Sequence, residues 1–233
     1  MILISSLCMA FSILWGISTR MILAFSPRMP VLSLDALGED SALEFPFKIP
    51  GTTLIAEQIV SYDGLFTEGD AAQDVVNVAA ILLYNYGQQG ISEANIYLQA
   101  GEDFFSFCAD TIPAGARILV PEKTAKAFCV RKITHCSGWQ NTDISDWKQE
   151  NLLELTYPKL GEVVVRNKTD RQLGEILLYY KTYYSQSDFY VGGNTFVYYI
   201  AGLQPGESLC IKPYNYAFGY SKFAKIEIQN PES

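Results

Sequence analysis

The chain is short of histidine, of basic charge and of clustered cysteine, and each shortage removes a class of chemistry. His135 is the single histidine among 233 residues, so any Ser-His-Asp or Cys-His arrangement has to run through it. Its neighbour Cys136 is no partner: adjacent side chains of a strand point to opposite faces, and the two share no proton directly. No GxGxxG, GxxxxGK[ST], HExxH or GxSxG occurs, so the phosphate cradle, the zinc pair and the nucleophile elbow are missing. Five cysteines are present without a CxxC or a Cys/His cluster, which argues against structural zinc. Lys and Arg total 17 against 25 Asp and Glu, a net charge of −8. A surface of that sign repels nucleic-acid phosphates and anionic headgroups. The expectation is a protein that is not an enzyme, needs no cofactor and has no nucleic-acid partner; a hydrolase with an unrecognised site is the alternative from another class.

What is present is apolar and aromatic. The composition is 49% hydrophobic and 13% aromatic, with 15 Tyr and 13 Phe. That is enough to bury a core, and it leans towards pleated, half-buried surfaces. Acidity is uneven: residues 31–138 carry 6 basic and 14 acidic side chains, and residues 139–233 carry 9 and 11.

The first 18 residues, MILISSLCMAFSILWGIS, hold no charge, close to the lower limit for a helix that crosses a bilayer. Leu7 is too large to precede a lipidated Cys8. Residues 1–25 are expected to form a hydrophobic helix, acting as an uncleaved anchor or as a signal peptide whose basic start is missing; a buried core segment is the third reading. The first two place the body outside the cytoplasm, membrane-anchored or secreted, with the membrane touched through this segment. Arg20 and Arg28 fall on the unfavoured side of such an anchor under the positive-inside rule. Residues 26–50, with four prolines, read as a spacer.

The body repeats itself. AAILLYNYGQQGISEANIYL (79–98) lies over GEVVVRNKTDRQLGEILLYY (161–180) at an offset of 82, with Asn85 on Asn167, Ile91 on Leu173 and Glu93 on Glu175. Further on, FSF (105–107) lies over FVY (196–198), and IPAGARILVPEKTAKAF (112–128) over LQPGESLCIKPYNYAF (203–218), at an offset of 91. The nine extra residues sit near YYSQSDFYVGG. Each copy reads as a β-branched strand, a turn with Asn, an alternating strand, an aromatic strand, and a Pro-Gly turn that launches another strand. Long amphipathic helix patterns are absent outside the N-terminus.

In that order of elements each copy resembles the immunoglobulin-like domains of bacterial extracytoplasmic proteins, the FxLYD and CARDB groups, and more loosely fibronectin type III modules. The resemblance covers about 85 residues of each copy. Trp139 and Trp147 fall between the copies and not against an inter-sheet disulfide. The fold this implies is all-β, two tandem immunoglobulin-like β-sandwich domains behind the N-terminal helix: residues 51–138 and 152–230, with 139–151 as linker. The role it implies is a non-catalytic module that spaces, adheres or assembles on a protein or a cell-surface polymer.

Two groups of residues are candidates for a site. Tyr183, Tyr184 and Tyr190 crowd the insertion of the second copy beside Asn194. Tyr is rigid and amphipathic, so this hairpin is the candidate for binding carbohydrate or peptide. Asp63, Glu68, Asp70 and Asp74 share one stretch. They are weak candidates for Ca²⁺, because their spacing does not match an EF-hand loop; the expectation is no metal. The four body cysteines, Cys108, Cys129, Cys136 and Cys210, allow three disulfide pairings. If CVRKITHC is one strand, Cys129 and Cys136 stand roughly 23 Å apart at about 3.3 Å per residue and cannot bond. NKT at 167–169 is a glycosylation sequon.

Overall fold

The computed structural model describes residues 42–68, 73–129, 132–143 and 149–229. The expected hydrophobic helix over 1–25 and most of the spacer lie outside them. The chain is all-β. Its strands are β1 (Phe47–Lys48), β2 (Leu54–Phe66), β3 (Gln73–Asn85), β4 (Gly90–Ala100), β5 (Asp103–Ile112), β6 (Arg117–Pro121), β7 (His135–Asp143), β8 (Leu153–Thr156), β9 (Val163–Asn167), β10 (Ile176–Tyr184), β11 (Phe189–Ile200), β12 (Ser208–Ile211) and β13 (Ser221–Ile228). One 3₁₀ turn, Gln149–Leu152, leads into β8. Among the described residues no helix is long and apolar enough to cross a membrane.

Strand order is the same in both halves. In the first, β2-β3-β6 forms one sheet edge to edge and β5-β4-β7 the other. In the second, β8-β9-β12 and β11-β10-β13 take the corresponding places. Each half closes over an apolar cluster, the first of which also takes in Tyr190 and Ala224 of the second half. The first is built from Leu54, Ile81, Leu83, Ile91, Ile96, Leu98, Phe105, Phe107, Ile118 and their neighbours. The second is built from Val163, Val165, Ile176, Leu178, Tyr180, Ile200, Ile211 and Ile226, among others. Each such fully buried side chain contributes roughly 1.5–3 kcal/mol relative to exposure.

The β4 pattern shows how residues set the strand. Ile91, Ala94, Ile96 and Leu98 are buried, while Tyr97 between the last two is exposed. Ile91 and Ala94 are three apart, which breaks the two-residue alternation. A register shift against β7 between Ile91 and Glu93 absorbs the extra residue, as a β-bulge does.

The halves are not strung in series. The β6 edge of the first pairs in parallel with β11 of the second, Tyr190 opposite Ile118 and Val191 opposite Leu119. The result is one seven-stranded sheet, β1-β2-β3-β6-β11-β10-β13. Two boundaries shift accordingly. Residues 139–143, expected as linker, complete β7 and pair with β4; their polar side chains suit an edge strand whose outer face is wet. The spacer expected to run to residue 50 ends earlier: Leu43 donates its amide to the Ile133 carbonyl, β1 pairs with β2, and Ile49 is buried. The stretch CVRKITHC is not one strand either, since β7 begins only at His135.

The same knot ties both halves. Asn85 and Asn167 are fully buried. The Asn85 amide donates to the carbonyls of Gln89, Ile112 and Pro113 at 3.0, 3.4 and 3.2 Å. The Asn167 amide donates to those of Arg171, Leu203 and Gln204 at 2.7, 3.2 and 3.1 Å. The side-chain oxygens accept from the amides of Gly87 and Thr169. Each asparagine thus pins the turn after its own strand to the distant Pro-Gly turn. In those turns Gly115 and Gly206 share a φ of +71°, and the Ala116 and Glu207 amides close the reversal onto Pro113 and Gln204. Pro205 stands one position before its glycine, whereas Ala114 holds that position in the first half.

Nothing lies within 4 Å of a Cβ placed on either glycine, so a substitution there meets only backbone strain. Gly115→Val and Gly206→Val are expected to cost roughly 1–2 kcal/mol each, read as a lower urea midpoint with an unchanged slope.

Candidate functional site

The tyrosine hairpin divides its rings between two faces. In the β10–β11 ladder Tyr183 faces Tyr190 and Tyr184 faces Phe189. The Tyr183 and Tyr190 rings meet edge-on at 5.3 Å. Tyr190 is buried against the first apolar cluster and donates its hydroxyl to the Phe223 carbonyl at 3.2 Å. The Tyr183 hydroxyl bonds the Asp188 carboxylate, and the Lys222 ammonium stands 4.4 Å from its ring centre. Burial, then the Asp188 carboxylate, push the Tyr183 hydroxyl up to about 12, so it stays protonated as a donor. Tyr184, on the opposite face, lies 5.4 Å from Phe189 and donates to Gln186 at 3.0 Å. With Tyr62, Leu119, Phe189, Val191 and Tyr220 it lines a cavity of about 60 Å³ that Tyr183 also borders. Asn194 is occupied elsewhere: its side chain donates to the Thr67 carbonyl at 2.6 Å. The structure therefore sets Tyr184 in the groove with Tyr183 only at its border, and places Tyr190 in a core and Asn194 at the junction of the halves.

The acidic stretch is likewise dispersed. Asp63 accepts the Asn77 amide at 2.7 Å. Asp74 is exposed on β3, and Asp70 lies outside the described residues. Glu68 crosses to the other half, where its carboxylate accepts the amides of Gly193 and Asn194 at 2.7 and 3.2 Å. Among the described residues no group of three or more His, Cys, Asp or Glu could hold a metal ion. His135 is exposed and Cys136 buried, on opposite faces as expected. Burial holds the Cys136 thiol up to about 11 and raises that of Cys108, which makes poor nucleophiles of both. All four body cysteines are free. The Asn167 sequon amide is buried with its donors in use.

The polar cluster beside Glu68 was not among the sequence candidates. Lys181 on β10 has no exposed surface. A register shift in the β10–β11 ladder between Tyr180 and Thr182 leaves Lys181 without a partner in β11. That bulge is why Tyr180 and Lys181, neighbours in sequence, are both buried; re-aiming a side chain is what a bulge does. The Lys181 ammonium reaches the Asp110 carboxylate on β5 at 3.1 Å and the Gly193 and Gly192 carbonyls at 2.6 and 3.4 Å. Thr195 donates its hydroxyl to the same Asp110 oxygen. Desolvation lowers the Lys181 pKa, opposed by Asp110 and more weakly by Glu68. Desolvation raises Glu68, opposed by the Gly193 amide and Lys181. Groups from both halves thus meet in one pocket, closed around Lys181 and open at Asp110. A second pair crosses the junction outside it: Lys225 on β13 binds Asp143 of β7 at 2.7 Å. There burial pulls the amine down, and its bonds to Asp143 and Glu227 more than offset that.

Glycine makes the approach possible. A Cβ on Gly193 would collide with the Cys108 carbonyl of β5. The sequence signal was YYKTYY followed by VGGN: a lone cation among paired aromatics, with glycines on the next strand.

Comparison with known proteins finds no family model, no curated protein and no solved structure that matches this chain.

Gly193→Ala is expected to cost about 1–3 kcal/mol through overpacking. Gly206→Ala, with open space around it, costs about 1 kcal/mol from its positive φ. Parallel thermal melts of the two variants compare them; equal losses would remove the close β5–β11 contact.

Proposed function

We propose that this chain is a non-catalytic interaction or spacing protein, built from two immunoglobulin-like β-sandwiches by duplication and held outside the cytoplasm by its apolar N-terminal segment, as an anchored or secreted protein. Its partner on this reading is a protein or a cell-surface polymer. One observation carries the proposal: the two halves share a seven-stranded sheet and an ion pair between the buried Lys181 and the partly exposed Asp110, so their relative orientation is fixed. A flexible linker would let two binding modules search independently; a shared sheet makes a stiff strut. The matching strand order and the matching asparagine knots support the duplication.

A second reading is favoured by the groove at Tyr184. Small-molecule pockets usually enclose roughly 300–1,000 Å³, and this cavity of about 60 Å³ is closer to a socket for one side chain. A peptide with an apolar anchor fits it better than a sugar ring. Tyr184→Ala removes one wall and leaves both cores intact.

Calorimetry of the body is expected to give one cooperative transition for both halves, and protease added to intact cells is expected to reach it. Two well-separated transitions would undo the strut, and protection from protease would undo the location. For the second reading, a peptide array probed with the wild type and with Tyr184→Ala should show apolar-anchored peptides that lose binding at least tenfold in the variant.

A further inference from the structure

We propose that Lys181 and Asp110 become joined by an intramolecular amide bond, a covalent cross-link between the two halves. This goes beyond the spacing role and holds or fails independently of it. The geometry is that of reactants already in contact. The amine nitrogen stands 3.1 Å from the Asp110 carboxylate, and it is fixed there by the bulge that strips Lys181 of all solvent exposure. Thr195 donates to the Asp110 oxygen that Lys181 contacts, which orients the carboxyl group and withdraws charge from it. Glu68 acts on both electrostatically, its two oxygens held by the Gly193 and Asn194 amides.

The reaction balances without any outside reagent. An ammonium and a carboxylate hold the atoms of an amide plus one water. Lys181 gives up a proton, and its nitrogen lone pair attacks the Asp110 carboxyl carbon. A carbon–nitrogen bond forms and a carbon–oxygen bond breaks. The departing oxygen takes two protons that began on the nitrogen and leaves as water. Glu68 is the relay that carries them. Burial shifts the Glu68 carboxyl towards its protonated form, against the pull of the Gly193 amide and Lys181, and burial of Lys181 favours its free amine. The amide nitrogen keeps one proton, which the Gly193 carbonyl already accepts at 2.6 Å.

In bulk water hydrolysis wins over condensation. Two groups held in a near-attack arrangement gain effective molarities on the order of 10⁵–10⁸ M, and Lys181 is held there without exposed surface. Asp110 is the open side of the pocket, with 41% of its side chain exposed, so the released water has a way out.

The test is a tryptic digest of the purified full chain, read by mass spectrometry. Trypsin cuts after Lys48, Arg117, Arg171 and Lys222, and Lys212 is shielded by Pro213. With the bond in place, residues 49–117 emerge joined to residues 172–222, lighter by one water than the two peptides together, with no cut after Lys181. A free 49–117 peptide and full cleavage after Lys181 would overturn the proposal. Asp110→Ala should give only separate peptides. Asp110→Asn should still link, by expelling ammonia in place of water, and yield the wild-type joined mass. That variant keeps the test decisive if Asp110→Ala does not fold, because an unlinked Asp110→Asn counts against the chemistry. Glu68→Gln should accumulate unlinked protein, and linkage at the wild-type rate in that variant would remove Glu68 from the relay.

Discussion

A cation without exposed surface has to be surrounded by acceptors, and at Lys181 those acceptors come from both halves of the molecule. Asp110 arrives on β5 and the two glycine carbonyls on β11. Pulling the halves apart would strip Lys181 of its Asp110 counter-charge and leave it only the two glycine carbonyls. Losing one partner of a fully buried pair typically costs about 3–5 kcal/mol, and the partly exposed Asp110 makes the loss smaller here. The β6–β11 ladder alone, with two residue pairs in register, is a weak joint. The polar pocket makes it specific, because only one relative placement satisfies the amine. Gly193 follows from the same demand, since β11 has to come close to the β5 backbone for Asp110 to reach the amine.

Below that level the two halves solve a common problem in the same way. A turn and a remote corner have to be kept together in a small sandwich without disulfides, and all four body cysteines are free. Asn85 and Asn167 do this with single buried amides that satisfy three carbonyls each. Unsatisfied buried carbonyls are costly, so one side chain fixes several backbone segments at once.

The sequence discloses the parts of this arrangement that are local. Period-two alternation marks β4, Pro-Gly turns mark the corners, and the match of Asn85 with Asn167 falls on the knots themselves. What escapes is set by distant contacts. Nothing near Ile118 or Tyr190 announces that they will pair, because a parallel ladder between remote segments leaves no turn signal. Trp139–Asp143 looks like a linker because an edge strand with a wet face is as polar as a loop. Lys181 looks like a surface residue, since its burial depends on a bulge that neither Tyr180 nor Thr182 foretells. Tyr190 joins a core because Tyr183, its cross-strand partner, turns the same face inwards, whereas Tyr184 turns to the groove.

The asparagine knot also bears on how the protein is produced. Asn167 begins an NKT triplet, and oligosaccharyltransferase acts on emerging, unfolded chain. A sugar added at that nitrogen would replace a proton the Arg171, Leu203 and Gln204 carbonyls share, and would place a bulky polar group inside the second core. A yeast or mammalian secretory host would thus sort the product into unmodified native molecules and sugar-bearing ones unable to close, a hazard that a bacterial host does not pose.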